Sequence, residues 1–107
     1  MNEFMDFLQH KYAYVAIGEF KPGKFAEAQQ LYEQAVSTYT QGFQGAYLLQ
    51  KPGTEEGIAV IMWERIEDMD QNQTQVYQKI LEQIQDLFVR PPVISFYEVC
   101  SEIEADN

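Results

Sequence analysis

The sequence predicts an α+β fold: a βαββαβ chain forming one four-stranded antiparallel sheet of order 4-1-3-2 with helices on one face, the ferredoxin-like arrangement. Three observations predict it. Segments with period-2 apolar patterning alternate with segments of helical period in the order strand, helix, strand, strand, helix, strand. The first and third strand patterns are apolar on both faces, as central strands are, whereas the second is diluted by Gln44, Gly45 and Gln50, as an edge strand is. Finally, the stretch GIAVIMWE at residues 57–64 needs a cover on each side. Helices supply one cover, and a second copy of the chain, sheet facing sheet in a twofold dimer, supplies the other.

Residues 1–11, MNEFMDFLQHK, set Phe4, Phe7 and Leu8 at offsets of three and four, the pattern of a short amphipathic helix or an arm laid over a neighbour. Residues 12–20, YAYVAIGEF, read as the first strand, with Tyr12, Tyr14, Ala16, Gly18 and Phe20 on one face and Ala13, Val15 and Ile17 on the other. Lys21-Pro22-Gly23 is a turn, because Pro presets φ and Gly accepts a positive φ. Helix one follows over residues 24–39, its apolar stripe running from Phe25 through Ala28, Leu31, Tyr32, Ala35 and Val36 to Tyr39. Gly42 stops it. Residues 43–51 and 57–65 form a hairpin across KPGTEEG, in which Glu55 and Glu56 are expected in water. A second helical pattern spans residues 66–89, with Asp68 as a candidate N-cap and a break at residues 71–73, where Thr74 can cap a second segment. Arg90-Pro91-Pro92 ends it, and residues 93–100, VISFYEVC, are the last strand. The organisation is thus an extension at 1–11, one domain at 12–102 and an acidic tail at 103–107.

Composition excludes several function classes. Seven basic residues against seventeen acidic ones give a net charge of −10, which repels nucleic-acid backbones and anionic membrane surfaces. No apolar run approaches the roughly 20 residues that span a bilayer. The one Cys cannot form an intrachain disulfide, and with no basic, apolar leader pattern the chain reads as cytoplasmic. Cys100 has no nearby basic residue to lower its pKa, which argues against a nucleophilic role. No Gly-rich phosphate loop, Cys pair or Ser-His-Asp set is present, and no metal or cofactor site is implied. The lone histidine, His10, reads as a solvated loop residue.

Three short motifs carry a resemblance. KPGK opens helix one, GFQG at residues 42–45 opens strand two, and Trp63-Glu64 closes strand three ahead of an acidic helix start. Over residues 12–102 the chain resembles the antibiotic-biosynthesis-monooxygenase-like group of the dimeric α/β barrel superfamily. That group includes cofactor-independent oxygenases of polyketide phenols, haem-degrading monooxygenases and many small proteins of unknown role. The resemblance implies a homodimer and a ligand pocket between each sheet and its own helices, with Trp63 where the group's strand-three Trp lines that pocket. Two departures stand out. The residues before Trp63, Ile58 to Met62, are apolar where the oxygenases carry polar partners such as Asn, and helix two lacks the His that ligates haem iron.

From the residues themselves, Tyr32, Tyr39, Tyr77 and Tyr97 either pack in the core or donate phenolic hydrogen bonds into an apolar pocket, with Tyr32 and Tyr77 at the borders of the buried stripes. Trp63 is either a packed core residue or a pocket wall. Arg65 either binds an anionic group at the pocket mouth or pairs at the surface with Glu64 or Glu67. Glu98 shares a side with Ile94 and Phe96, so it sits in water at an edge or is buried and paired. The expectation is a small protein that works as a cofactor-independent monooxygenase on an apolar or aromatic molecule; the alternative is a non-catalytic dimeric module that binds a ligand or a protein.

Overall fold

The computed structural model describes residues 11–105. The arm or helix expected before Lys11, and His10 with it, lie outside the described residues. The elements are β1 (Tyr12–Glu19), α1 (Phe25–Ser37), β2 (Phe43–Gln50), β3 (Glu56–Trp63), α2 (Ile66–Gln71), α3 (Gln75–Gln85) and β4 (Val93–Glu98). All strand pairs are antiparallel, and the sheet order β2-β3-β1-β4 is the predicted order read from its other edge.

Local chemistry explains the joints. Gly23 takes φ 76° in the turn before α1, and its N–H donates to Glu55 Oε2 at 3.0 Å. Glu55 therefore folds back onto that turn instead of standing in water as its place in the hairpin suggests. The break between α2 and α3 falls where expected, with Thr74 Oγ1 accepting from the Tyr77 N–H at 3.2 Å. Asp68 is not the N-cap of α2. The extended residue Arg65 holds that place, and Asp68, three residues on, accepts from the Arg65 backbone N–H at 3.1 Å. The second helix also ends four residues before the expected Val89. Residues 87–89 turn aside because their backbone groups bond to the end of β1, Lys21 N–H to Leu87 O at 2.8 Å and Val89 N–H to Glu19 O at 2.9 Å.

The GFQG stretch has a steric reason. Gly42 takes φ 80°, and a Cβ there would overlap the Asp68 carboxylate; Gly45, at φ 129°, follows a bulge at Gln44 that keeps Phe43 on the same face as Trp63.

The strand registers decide which face of β1 is inner. Tyr14 pairs Ile61 and Phe96, and Ala16 pairs Ala59 and Ile94; this set lies against α1 and α3. Tyr14 and Phe20 are thus on the helix side, a choice that the apolar pattern on both faces of β1 leaves open. The outward face instead carries Ala13, Val15 and Ile17, flanked by Ile58, Val60 and Met62 of β3, Tyr47 and Leu49 of β2, and Val93, Ser95 and Tyr97 of β4. Ile17, Tyr47, Leu49, Val93 and Tyr97 are exposed there. The helix-side core is built on Phe20, Phe25, Ala28, Leu31, Ala35, Ile80 and Leu87.

Candidate functional site

Between the sheet and the α1–α3 layer lies a cavity of about 260 Å³. It exists because small residues face one another across the two layers. Ala16 and Ala59 are paired on the floor beside Gly57, and Ala28 and Ala35 face them from α1. Larger side chains there would close the gap to normal packing density. Phe88, Pro91, Pro92 and Gln85 bound one end. Phe88 stacks on Phe20 with ring centroids 4.4 Å apart, a position open to it only because Gly18 has no side chain.

The polar lining is almost wholly phenolic. Tyr14 of β1, Tyr32 of α1, Tyr39 just beyond α1, and Tyr77 of α3 all border the cavity, with Gln85 as the remaining polar side chain and no Asp, Glu, His, Lys or Arg among its described lining residues. Burial pushes the Tyr14 hydroxyl up to about 12, with the nearby Tyr77 phenol adding to it. Burial likewise pushes Tyr32 up to about 12. Tyr39 is raised well above the ordinary tyrosine range by burial first, then by a side-chain hydrogen bond with Tyr77, then by the Tyr77, Tyr14 and Tyr32 phenols around it. Upward shifts mean that these groups stay protonated, so they act as neutral hydrogen-bond donors and not as bases.

The donors are not equivalent. The Tyr32 hydroxyl donates to the Tyr47 carbonyl at 2.9 Å, so it closes a backbone group on the edge strand β2 while its ring walls the cavity. The Tyr39 ring packs beside the Tyr77 ring, with centroids 5.5 Å apart. The Tyr14 hydroxyl has no protein acceptor among the described residues.

A smaller cavity of about 120 Å³ adjoins the first and shares Tyr14, Tyr39, Ile61 and Tyr77 with it. Trp63 borders this second space, together with Met69 and Asp70. Its indole is 2 % exposed, with the Tyr39 ring at 4.8 Å and the Phe43 ring at 5.9 Å. Trp63 thus belongs to an aromatic cluster behind the phenols. Arg65 borders neither cavity; its guanidinium reaches Asp68 Oδ1 at 3.3 Å, not Glu64 or Glu67, and the hydrogen bond and charge of Asp68 raise it above its ordinary value. Tyr97 lies on the outward face of the sheet. Glu98 is exposed on the edge strand β4, on the side of Ile94 and Phe96.

Two buried polar residues hold the Trp63 end of the site in place. Asp68 is fully buried and Asn72 nearly so. The Asn72 amide donates to Gln41 O at 3.0 Å and Asp68 O at 2.7 Å, and its oxygen accepts from the Thr40 N–H at 2.8 Å. This clasp ties α2 to the loop that enters β2. Asn72 does not stand out in the sequence, because its partners Thr40 and Gln41 are some thirty positions away. Tyr14 could have been found from the small residues that follow it at period 2, Ala16 and Gly18, and their counterparts Gly57 and Ala59. Among the described residues no cluster of His, Cys, Asp and Glu is placed to hold a metal ion, and no helix is long and apolar enough to cross a membrane.

No protein-family model matches the sequence, and no curated protein matches it. Solved structures do. The chain is similar to a conserved protein from Methanosarcina mazei Go1, 17% identical with a TM-score of 0.74, over 83% of this chain and 92% of that one. It is similar to a candidate antibiotic biosynthesis monooxygenase from Caulobacter crescentus CB15, 13% identical with a TM-score of 0.75, over 94% of this chain and 100% of that one. It is also similar to SnoaB, a cofactor-independent oxygenase from Streptomyces nogalater, 10% identical with a TM-score of 0.69, over 91% of this chain and 98% of that one. Identities this low speak to backbone architecture alone, and the fold of this chain is that of the antibiotic-biosynthesis-monooxygenase-like proteins.

Proposed function

We propose that this chain is a small cofactor-independent monooxygenase acting on an apolar, aromatic molecule held in the tyrosine-lined cavity. The observation that carries it is the cavity itself, about 260 Å³ of apolar wall with a few convergent phenols. Its fold, shared with an oxygenase that needs no cofactor, supports the reading. Tyr77 and Tyr32 are its phenolic walls, and Trp63 backs the smaller space beside it. Arg65, tied to Asp68, serves α2 rather than the ligand. In such a site the substrate supplies the electrons for O2, and the chain's part is to exclude water, orient the ring and stabilise charge that develops on a ring oxygen.

Oxygen uptake with a panel of hydroquinones and fused-ring phenols tests this. Turnover that falls at least about tenfold in Tyr77→Phe, with binding retained, supports it. Binding without oxygen uptake from any of the panel overturns it and leaves the second reading, a non-catalytic ligand-binding module. The absence of a charged group from the described lining of the larger cavity favours that second reading.

In either case the working unit is a homodimer joined through the outward sheet face. The centre of that face, from Val15 and Val60 outward, is uncharged, and charge enters at its ends with Lys11, Glu19 and Glu56. A second copy matches this pattern by symmetry. The exposed thiol of Cys100 fits a reducing, cytoplasmic compartment.

A further inference from the structure

We infer that the segment preceding Lys11 turns back onto its own chain and seats the Phe7 ring in the smaller cavity, with Phe4 and Leu8 over the apolar rim around it. This seat is independent of what the larger cavity holds.

The smaller cavity suits such an occupant. It measures about 120 Å³. An apolar cavity of roughly 150 Å³ is enough to admit a benzene ring. Two of its borders, Ile66 of α2 and Phe96 of β4, are 51% and 58% exposed. Phe96 stands on the helix side of the sheet, so a second copy stacked on the outward face would leave it bare. Any cover therefore comes from the helix side. Asp70 on the rim and the net charge of −10 disfavour an anionic ligand there, whereas a phenyl ring brings no charge.

The chain itself supplies the cover. Lys11 is held beside the end of β4: its carbonyl accepts from the Val99 N–H at 2.8 Å, and its ammonium pairs with Glu102 at 2.8 Å. Tyr12 pairs Trp63, and Tyr14 pairs Phe96, so both of these cavity residues lie opposite the first three residues of β1. Tyr14 is three residues from Lys11, about 10 Å along the strand. Phe7 is four residues from Lys11 in the other direction, a reach of up to about 14 Å. A chain reversal between them returns Phe7 over Trp63 and Phe96. A tether this short gives an effective concentration in roughly the millimolar range, which favours the chain's own cavity over that of a second copy. The seated ring also becomes an end wall of the larger cavity, because the two spaces share Tyr14, Tyr39, Ile61 and Tyr77.

Trp63 is the one tryptophan of the chain and borders the seat, so its fluorescence reports on it. In the full wild-type chain, nuclear Overhauser contacts are expected from the Phe7 ring to the Trp63 indole and the Phe96 ring. In a mixture of isotope-labelled and unlabelled chains these contacts arise within a chain and not between chains. Phe7→Ala raises acrylamide quenching of Trp63 at least about twofold with the far-UV circular dichroism unchanged, whereas Glu3→Gln leaves the quenching at its wild-type value. Absence of contacts from Phe7 to Trp63 and Phe96, contacts found only between chains, or quenching unchanged in a folded Phe7→Ala overturns the seat. If Phe7→Ala fails to fold, the wild-type contacts still decide.

Discussion

Replacing Asn72 by Ala should be among the most damaging polar substitutions in this chain, although Asn72 reads in the sequence as an ordinary residue of a polar linker. The side chain is 3% exposed and makes three hydrogen bonds, to Thr40 N, Gln41 O and Asp68 O. Truncation leaves the Thr40 N–H and the Gln41 carbonyl unpaired inside the joint between α2 and the β2 entry, while Asp68 O keeps the Asn72 backbone N–H at 3.2 Å. Each orphaned group costs about 1–3 kcal/mol, less any relief from water entering the space. A total near 3 kcal/mol is therefore expected, against a typical domain stability of about 5–15 kcal/mol. For a domain of this size that corresponds to a fall in Tm of roughly 12–24 °C. Urea unfolding followed by Trp63 fluorescence, at one fixed protein concentration, reads it directly. Asn72→Asp separates the causes, since it keeps the volume and one acceptor but loses both amide donors and brings a second carboxylate beside Asp68. It should cost as much as the alanine. A loss below about 0.5 kcal/mol for Asn72→Ala, the range of ordinary surface changes, would refute the clasp as a structural element.

Gly18→Ala should destabilise by about 1–3 kcal/mol, because its Cβ would lie 2.6 Å from the Phe88 ring; denaturant midpoints check this, and a neutral effect would show that Phe88 moves without cost. Alkaline pH should unfold the chain through its tyrosines. Tyr14 and Tyr32 have folded-state values raised from 10.0 to about 12, so the stability from their burial is complete below pH 10 and lost as pH rises through about 12; unfolding that tracks the 295 nm tyrosinate band, with a shallower pH dependence in Tyr14→Phe, is the expected result. Val60→Asp, in the middle of the outward face, should weaken self-association by about a thousandfold or more while leaving the far-UV circular dichroism unchanged, as read by analytical ultracentrifugation. A wild type that is monomeric at micromolar concentration would remove the explanation offered for the two-faced strands.

The element order and the sheet order were legible because they rest on periodicity, and periodicity survives without knowledge of the partners. The inner face of β1 was not legible by polarity, since Tyr14 and Ala16 on one side and Val15 and Ile17 on the other are all apolar. Size carried the answer. The helix side holds Ala16, Gly18, Gly57 and Ala59, where a cavity forms, and the outward side holds the β-branched Val15, Ile17, Ile58 and Val60. Among the site residues, Tyr77 and Tyr32 were visible as borders of amphipathic stripes, but no local pattern could show that the Tyr32 hydroxyl is taken by Tyr47 O. The shift of Asp68 from N-cap to third helical position was equally hidden. The carboxylate serves Arg65 in place of a later N–H, a choice set by where the chain leaves β3.

These placements separate two properties that share one sheet. Along β1 and β3 successive residues point alternately into the cavity and toward the outward face. A change at Tyr14, Ala16 or Ala59 acts on what the cavity holds, whereas a change at Val15, Ile58 or Val60 acts on what the sheet meets outside. Neighbouring substitutions should therefore give opposite phenotypes, with Ala16→Leu filling the cavity and sparing association, and Val15→Asp breaking association while the phenols stay in place. The same alternation explains GIAVIMWE, whose two faces are both apolar because one lines the cavity and the helix layer while the other is the outward face proposed above to meet a second sheet.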